Sequence, residues 1–339
     1  MPKVSVIMPA YQAEQYISES IQSIVNQQFT DWELIITDDS SHDHTAAVVL
    51  LWADKDKRIR LIRNDNHSGA AQSRNKAIEA ASGELIAFLD ADDIAYPQRL
   101  HKQVSFMQQH PSVGLVAHWL DIIDENSLPH PAQWVWRREK DAHLPVFLLF
   151  GNAFALSSVM MKRSLVEQVH GFSTAFEPCE DYALWSEAAT ITNLHIIPEK
   201  LGARREHHHN WTTLATEKSK LQTEQIIKRN ISKLGLSPSA DELRLHQQLR
   251  HRQFIMDNNF ARKAQQWLEN LLYQNKKYRI YQQQAITEVV GEIWYDYWHL
   301  RHQEGLSTLK NYFSSALWRS NSLRKNLLLS ALVGKQLLK

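Results

Sequence analysis

Carboxylates dominate the residues that could do chemistry. Asp90, Asp92 and Asp93 fall within four positions, directly after the apolar run Leu85-Ile86-Ala87-Phe88-Leu89. Like charges so close repel one another, which excludes a neutral core role; a divalent cation, which prefers hard oxygen ligands, would relieve them. The plain alternative is a solvated acidic turn. Asp38-Asp39 closes a second apolar run, Leu34-Ile35-Ile36. A carboxylate there could accept from a nucleobase N–H or a ribose hydroxyl, or cap a helix, since Ser40, Ser41 and Asp43 nearby are all good cap residues. Arg74, with Asn75, opens a helical stretch after Gly69-Ala70-Ala71. It would either grip a diphosphate or form an ordinary surface ion pair. His207, His208 and His209 are adjacent, so they cannot all face one ion, although one of them could be a ligand. Cys179, the single cysteine, has no neighbour that would lower its pKa and reads as a packed small side chain.

The elements that must position these groups alternate strand and helix. Val4–Met8, Leu34–Ile36, Ile59–Ile62 and Leu85–Leu89 are short apolar runs without alternation. Between them Tyr16, Ile17, Ser20, Ile21, Ile24 and Val25 mark one helix face, and helices are predicted from about Asp43 to Ala53 and from Gly69 to Ala81. Gly83 stands where a left-handed helix cap would want glycine. This pattern predicts an α/β fold with a mostly parallel sheet covered by helices on both faces, and ligands beyond the carboxyl ends of the strands. If the fourth strand lies beside the first, Pro9–Tyr11 and Asp90–Asp93 flank one crevice.

Further on, Val113–Trp119 reads as a strand, Asp121–Glu125 as a turn, Trp134 and Trp136 as part of a Trp-rich stretch, and Glu180–Ala189 as a helix. Leu144 to Met161 is 18 residues without a charge, but Pro145, Gly151-Asn152 and Ser157-Ser158 interrupt it. A bilayer span needs about 20 mostly apolar residues, so a short buried helix and a buried strand at Ser158–Met161 are expected instead. From Leu214 the chain turns polar, Gln-rich and helical, which puts a domain boundary at Thr213–Leu214.

The 339 residues carry 38 Lys+Arg against 37 Asp+Glu. Near-neutrality gives no field to draw nucleic acid, and none is expected as a partner. One cysteine excludes a disulfide framework and a cysteine-based zinc site, and fits a reducing compartment. The first glycine is Gly69, so no glycine-rich phosphate loop follows the first strand; this excludes a nicotinamide dehydrogenase. From Gly305 to Lys339 there are six Lys/Arg and no acid. Leu306, Leu309, Phe313, Leu317 and Trp318 lie near one helix face, continued by Leu327, Leu328, Leu332 and Val333. Such a tail would lie on an anionic membrane surface or pack on the preceding domain.

Several runs in order resemble glycosyltransferase family 2: V-S-V-I-M-P-A-Y-Q, W-E-L-I-I-T-D-D-S-S, G-A-A-Q-S-R-N-K-A-I and G-E-L-I-A-F-L-D-A-D-D, then S-S-V-M-M-K-R, G-F and C-E-D-Y-A-L-W. The resemblance spans about Lys3 to Thr213. It implies the GT-A fold, with a nucleotide-binding half at about 1–110, an acceptor half at about 111–213, and a helical C-terminal region at 214–339. It also implies inverting transfer of a sugar from a nucleotide-diphosphate donor to a glycan or lipid-linked acceptor, at the cytoplasmic face of a membrane, in cell-envelope or extracellular glycan synthesis.

Carried over by position, the resemblance puts Pro9, Ala10 and Tyr11 on the nucleoside, Asp39 on the base and Arg74 near the nucleotide. Asp90 would face the ribose. Asp92, with Asp93 and His207 of the Arg205-Glu206-His207 element, would hold Mg²⁺ or Mn²⁺. Asp181 would be the general base, with Glu180 and Trp185 supporting the acceptor side. Two positions depart from the family's usual pattern: Gln12 stands where Asn is usual, and Ser40 where Gly is usual. Ser40 lacks glycine's freedom at positive φ. A sugar-nucleotide nucleotidyltransferase and a non-catalytic sugar-nucleotide binder are the alternatives; the first is disfavoured by Pro9-Ala10-Tyr11-Gln12 where a glycine-rich basic loop belongs.

Overall fold

Apolar runs with no polar alternation mark strands inside a sheet covered on both faces; three of the four runs are buried in this way, and the fourth, around Ile59–Arg63, is a partly exposed edge strand. In this computed structural model, which describes residues 2–130, 140–207, 216–320 and 323–337, they form β1 (Val4–Ala10), β2 (Trp32–Asp38), β3 (Ile59–Arg63) and β4 (Leu85–Phe88). β1 pairs in parallel with both β2 and β4, and β2 with β3. Ala10 is in register with Asp38 and Ile7 with Phe88, so the chain leaves β1, β2 and β4 at one edge of the sheet. Tyr11, Asp39 and Asp90 follow there.

The sheet continues through β5 (Ile94–Ala95), β6 (Val113–Ile123), β7 (Met160–Lys162) and β8 (Asn193–Arg205), in the order β3-β2-β1-β4-β7-β6-β8-β5. β7 is antiparallel to β4 and β6, β5 is antiparallel to β8, and β6 with β8 is parallel. This is the mostly parallel α/β sheet the sequence predicts. Two details differ. β6 runs on to Ile123 through the predicted turn at Asp121, whose charge is met by Lys200 Nζ at 2.5 Å. The helix α3 (Ala70–Glu79) stops well before Gly83, which has no positive φ. Gly83 is needed for space instead: a Cβ there would sit 2.7 Å from the Ser5 nitrogen.

Helix α1 (Ile17–Val25) buries Ile17, Ile21 and Ile24 as its periodicity predicts, together with Ser20 and Ser23. These polar groups hold the segment after β4. Ser20 Oγ donates to the Ala91 carbonyl at 2.8 Å, Ala95 N donates to Ser23 Oγ at 3.1 Å, and Gln27 Nε2 donates to the Tyr96 carbonyl at 2.8 Å. Unpaired polar groups in a core are costly, so the acidic turn is fixed from the side facing away from solvent.

The chain divides into two compact units, residues 1–141 with 152–223, and residues 142–151 with 224–339. The first holds the sheet. The second is helical, and its core includes Trp294, Tyr297, Trp298 and Tyr312. It also includes the helix Leu144–Phe150, the first half of the uncharged run. There Asn230 Nδ2 donates to the Leu148 carbonyl at 2.9 Å, and the His246 ring stacks on Phe150 with centroids 4.4 Å apart. The junction at 223–224 falls inside the helix Thr216–Ser232. The boundary predicted at Thr213–Leu214 lies outside the described residues, as do Trp134, Trp136, His208 and His209. Among the described residues no helix is long and apolar enough to cross a membrane.

Both departures from the family pattern sit in left-handed backbone: Gln12 has φ 47° and Ser40 φ 62°. The turn is held by Asp39 N donating to the Ala10 carbonyl at 2.8 Å and Gln12 N to Ser41 Oγ at 3.0 Å. A non-glycine residue in this region costs about 1–2 kcal/mol. Ser40→Gly removes that cost and loses part of it to unfolded-chain entropy, so urea unfolding should show a gain of about 0.5–1 kcal/mol.

Candidate active site

Where β1, β2 and β4 end, a cleft of about 780 Å³ opens in the first unit. It is lined by Pro9, Ala10, Tyr11, Asp39, Arg74, Asp90, Asp92, Asp93, Glu180, Asp181 and His207. Trp185 is absent from the wall. It is fully buried beneath, its ring 5.9 Å from Phe88 and 6.3 Å from Phe172, with Nε1 unpartnered. It belongs to the buried face of α7 (Glu180–Ala188), packed into the core beneath the cleft wall.

Asp39 organises one end of the cleft. Its Oδ1 accepts from Asn64 Nδ2 at 2.7 Å, from Ser68 N at 2.9 Å and from Ser68 Oγ at 2.8 Å; its Oδ2 accepts from Gly69 N at 2.8 Å and lies 2.9 Å from His67 Nδ1. Burial pushes its pKa up, but the bonds from Asn64, Ser68 and Gly69 outweigh burial and hold it below the usual aspartate range. The carboxylate thus fixes the loop leading into α3. The His67 ring lies 4.2 Å from that of Tyr11, leaving both side chains substantially exposed at the mouth.

Arg74 is buried between two acids. Nη1 donates to Glu180 Oε1 at 2.5 Å and Nη2 to Asp90 Oδ1 at 2.9 Å, while its Nε and Glu180 Oε2 have no partner. Burial opposes its charge, but Asp90 and Glu180 more than offset that and raise its pKa. Its first task is therefore to let β4 and α7 bring carboxylates together.

The acidic turn sorts its three members. Asp90 is raised by burial and by Asp92, against the pull of Arg74. Asp93 is nearly fully buried, accepts from Arg205 N at 2.8 Å, and is pushed well up by burial and by both neighbouring acids. Asp92 meets His207, with Oδ2 3.0 Å from Nε2. Arg205, wholly buried, locks the turn: Nε donates to the Asp92 carbonyl at 2.9 Å, Nη1 to Ser127 Oγ at 2.8 Å and Nη2 to Glu19 at 2.7 Å.

Asp181 stands apart from these pairs. Its Oδ1 accepts from Tyr182 N at 2.6 Å and its Oδ2 from Asn152 Nδ2 at 2.8 Å. Burial, then the neighbouring Glu180, raise its pKa to about 7 against those bonds and Arg74. A carboxylate balanced near neutrality can take and release a proton.

In the sequence Asn152 reads only as part of the Gly151-Asn152 helix break, because an Asn after Gly signals a turn rather than a partner. Glu177, also on the wall, accepts from Ala70 N at 2.8 Å, and a Cβ on Gly69 would meet its carboxylate at 2.5 Å. No local pattern announces either contact.

For a divalent cation, Asp92 and His207 offer an oxygen and a nitrogen donor on the cleft wall, and the mutual repulsion of Asp90 and Asp92 favours positive charge there. Among the described residues no group of three or more His, Cys, Asp or Glu forms a complete ligand set.

Residues 5–169 match the family model described as Glycosyl transferase family 2. The chain is 35% identical over 198 residues, covering 57% of this chain and 72% of the relative, to the UDP-Glc:alpha-D-GlcNAc-diphosphoundecaprenol beta-1,3-glucosyltransferase WfgD of Escherichia coli. Among solved structures it resembles S. aureus TarS 1-349 in complex with UDP-GlcNAc, with TM-score 0.57, 18% identity, and coverage of 91% of this chain and 89% of that one. It also resembles the mannosyltransferase PcManGT from Pyrobaculum calidifontis in complex with GDP-Man and Mn²⁺, with TM-score 0.53, 18% identity, and coverage of 99% and 87%. At such identities the two structures establish the shared GT-A fold.

Replacing Arg74 with Met leaves Glu180 and Asp90 buried without their cation. Breaking a buried pair costs about 3–5 kcal/mol, and urea unfolding of Arg74→Met at pH 8 should show that loss. The orphaned acids would have raised folded-state pKa values, so the deficit should shrink toward pH 5 as they take up protons.

Proposed function

The chain belongs to glycosyl transferase family 2 and is a glycosyltransferase, and on that premise we propose that it transfers a sugar with inversion from a nucleotide-diphosphate donor to the hydroxyl of a glycan or lipid-linked acceptor in cell-envelope glycan synthesis. The observation that carries the mechanism is Asp181: a carboxyl on the cleft wall, raised to about 7 and held by Asn152, in the same cleft as Asp39 and the Asp92–His207 pair. The premise leaves no ground for the nucleotidyltransferase or the non-catalytic binder.

In this reading Tyr11 and the loop fixed by Asp39 receive the nucleoside, and Asp90 faces the ribose. Asp92 and His207 would hold Mg²⁺ or Mn²⁺, which supplies Lewis-acid stabilisation of the negative charge on the departing nucleoside diphosphate. Asp93, turned to the Arg205 backbone, keeps Asp92 in place rather than adding a ligand. Asp181 takes the proton from the acceptor hydroxyl as its oxygen attacks the anomeric carbon from the side opposite the leaving group, a single displacement that inverts the centre. Asn152 and the Tyr182 N–H favour the charged form of Asp181 and aim it. Glu180 keeps Arg74 engaged, so that Arg74 does not neutralise Asp181 directly. A lipid-linked acceptor agrees with the diphosphoundecaprenol-linked substrate named for the Escherichia coli relative.

A panel of nucleotide sugars, each scored for acceptor-dependent nucleoside diphosphate release, tests the activity and identifies the donor. Asp181→Asn should lower kcat about 10²–10⁴-fold while calorimetry with UDP or GDP and Mn²⁺ shows unchanged binding. Asp92→Ala should weaken that Mn²⁺-dependent binding; equal loss in both variants would overturn the assignment.

Because the base works deprotonated, kcat/KM should fall tenfold per pH unit below about 7 and level off above it. Asn152→Ala removes a bond to the charged form, so its rising limb should move to higher pH. A raised carboxyl also destabilises the fold as pH passes its folded-state pKa. Asp181→Asn should therefore be more stable than the parent at pH 8, by about 1 kcal/mol or ~2–4 °C in Tm.

A further inference from the structure

The last two described helices of the second unit carry apolar side chains on both faces. In Leu306–Ser314, Thr308 and Tyr312 are buried, Tyr312 donating to Asn326 Oδ1 at 2.7 Å. The opposite stripe, Leu306, Lys310 and Phe313, faces solvent, with Leu306 64% and Phe313 37% exposed. In Leu323–Leu337, Asn326, Leu329 and Val333 fill the inner face at the i, i+3, i+7 spacing. Leu327 and Leu328 point outward at 59% and 49% exposure, followed by exposed Ala331. Between the helices Trp318 is half-buried, its ring 5.1 Å from Phe313, and the exposed Arg319 guanidinium lies 5.9 Å from it. A helix stabilised only by packing inward needs one apolar stripe, not two.

Charge identifies what covers the second stripe. In a chain with near-equal acids and bases, the 35 residues from Gly305 carry six Lys/Arg and no acid, and of the six Lys325 pairs inward with Glu292 at 2.5 Å. A protein partner of ordinary surface would not require that bias; an anionic lipid surface does, since its potential attracts cations while its acyl boundary takes Leu and Phe. An indole flanked by arginine suits the headgroup layer. We propose that the exposed face formed by Leu306, Lys310, Phe313, Arg319, Leu327 and Leu328 docks the protein on an anionic phospholipid bilayer, lying in the interface without crossing it.

The test is flotation of the full chain with phosphatidylglycerol vesicles and with phosphatidylcholine vesicles. Binding is expected on the anionic vesicles only, weakened at least tenfold by 0.5 M salt as surface charges are screened. Leu327→Gln with Leu328→Gln, and separately Lys310→Gln with Arg319→Gln, should each lower the bound fraction about tenfold. Both pairs lie on the surface, so near-parental circular dichroism and unchanged donor hydrolysis in solution are expected, which separates failure here from failure of the transferase assignment. Equal binding to both lipids, no binding to phosphatidylglycerol, or variants that float like the parent would overturn the proposal. So would light scattering that shows a dimer dissociated by the leucine changes, which would make the face a contact between copies.

Discussion

Electrostatic repulsion among carboxylates is the constraint around which the first unit is built. Asp90, Asp92 and Asp93 leave one strand, and Glu180 and Asp181 open a helix distant in sequence, yet all five line one cleft. Two buried arginines make this tolerable in different ways. Arg74 bridges Asp90 and Glu180 through its side chain, whereas Arg205 binds backbone carbonyls and lends its own N–H to Asp93. What is left over is asymmetric: Asp39 is held acidic by four hydrogen bonds from Asn64, Ser68 and Gly69, and Asp181 is left with two and is raised to about 7. Carboxylates with pKa values pushed apart can play opposite parts in one site.

Positioning comes from polar groups buried under the turn as much as from the strands. Ser20 and Ser23 on α1, and Gln27 just after it, hold residues 91–96 from below, and Arg205 holds them from β8. Each buried donor or acceptor accepts few alternative partners, so the acidic turn has little freedom to relax away from its like-charged neighbours.

Much of the fold was legible because fully buried parallel strands are written as contiguous apolar runs, and β1, β2 and β4 run straight into residues of the candidate site. Val4–Met8 with Pro9–Tyr11, and Leu85–Leu89 with Asp90–Asp93, are single stretches in which element and site are read together. What could not be read depends on tertiary partners. Asp121 looked like a turn until Lys200 met it across the sheet. Gly83 looked like a helix cap, because sequence marks a glycine without saying whether φ or space demands it. The loop bonds to Asp39 and the Asn152 contact to Asp181 join residues 25 to 30 positions apart. Composition recorded that Leu144–Phe150 is buried, but not that its companions lie in the C-terminal half.

That displaced helix affects how the chain matures on the ribosome. Leu148, Leu149 and His143 find their partners Asn230, His246 and Glu288 only 82, 97 and 145 residues later. At a synthesis rate of about 5–20 residues per second, this oily heptapeptide waits roughly 4–30 s for those partners. The interval favours early capture by a chaperone. It also means that a nascent chain released early would keep β1–β4 and lack the partners of Leu144–Phe150.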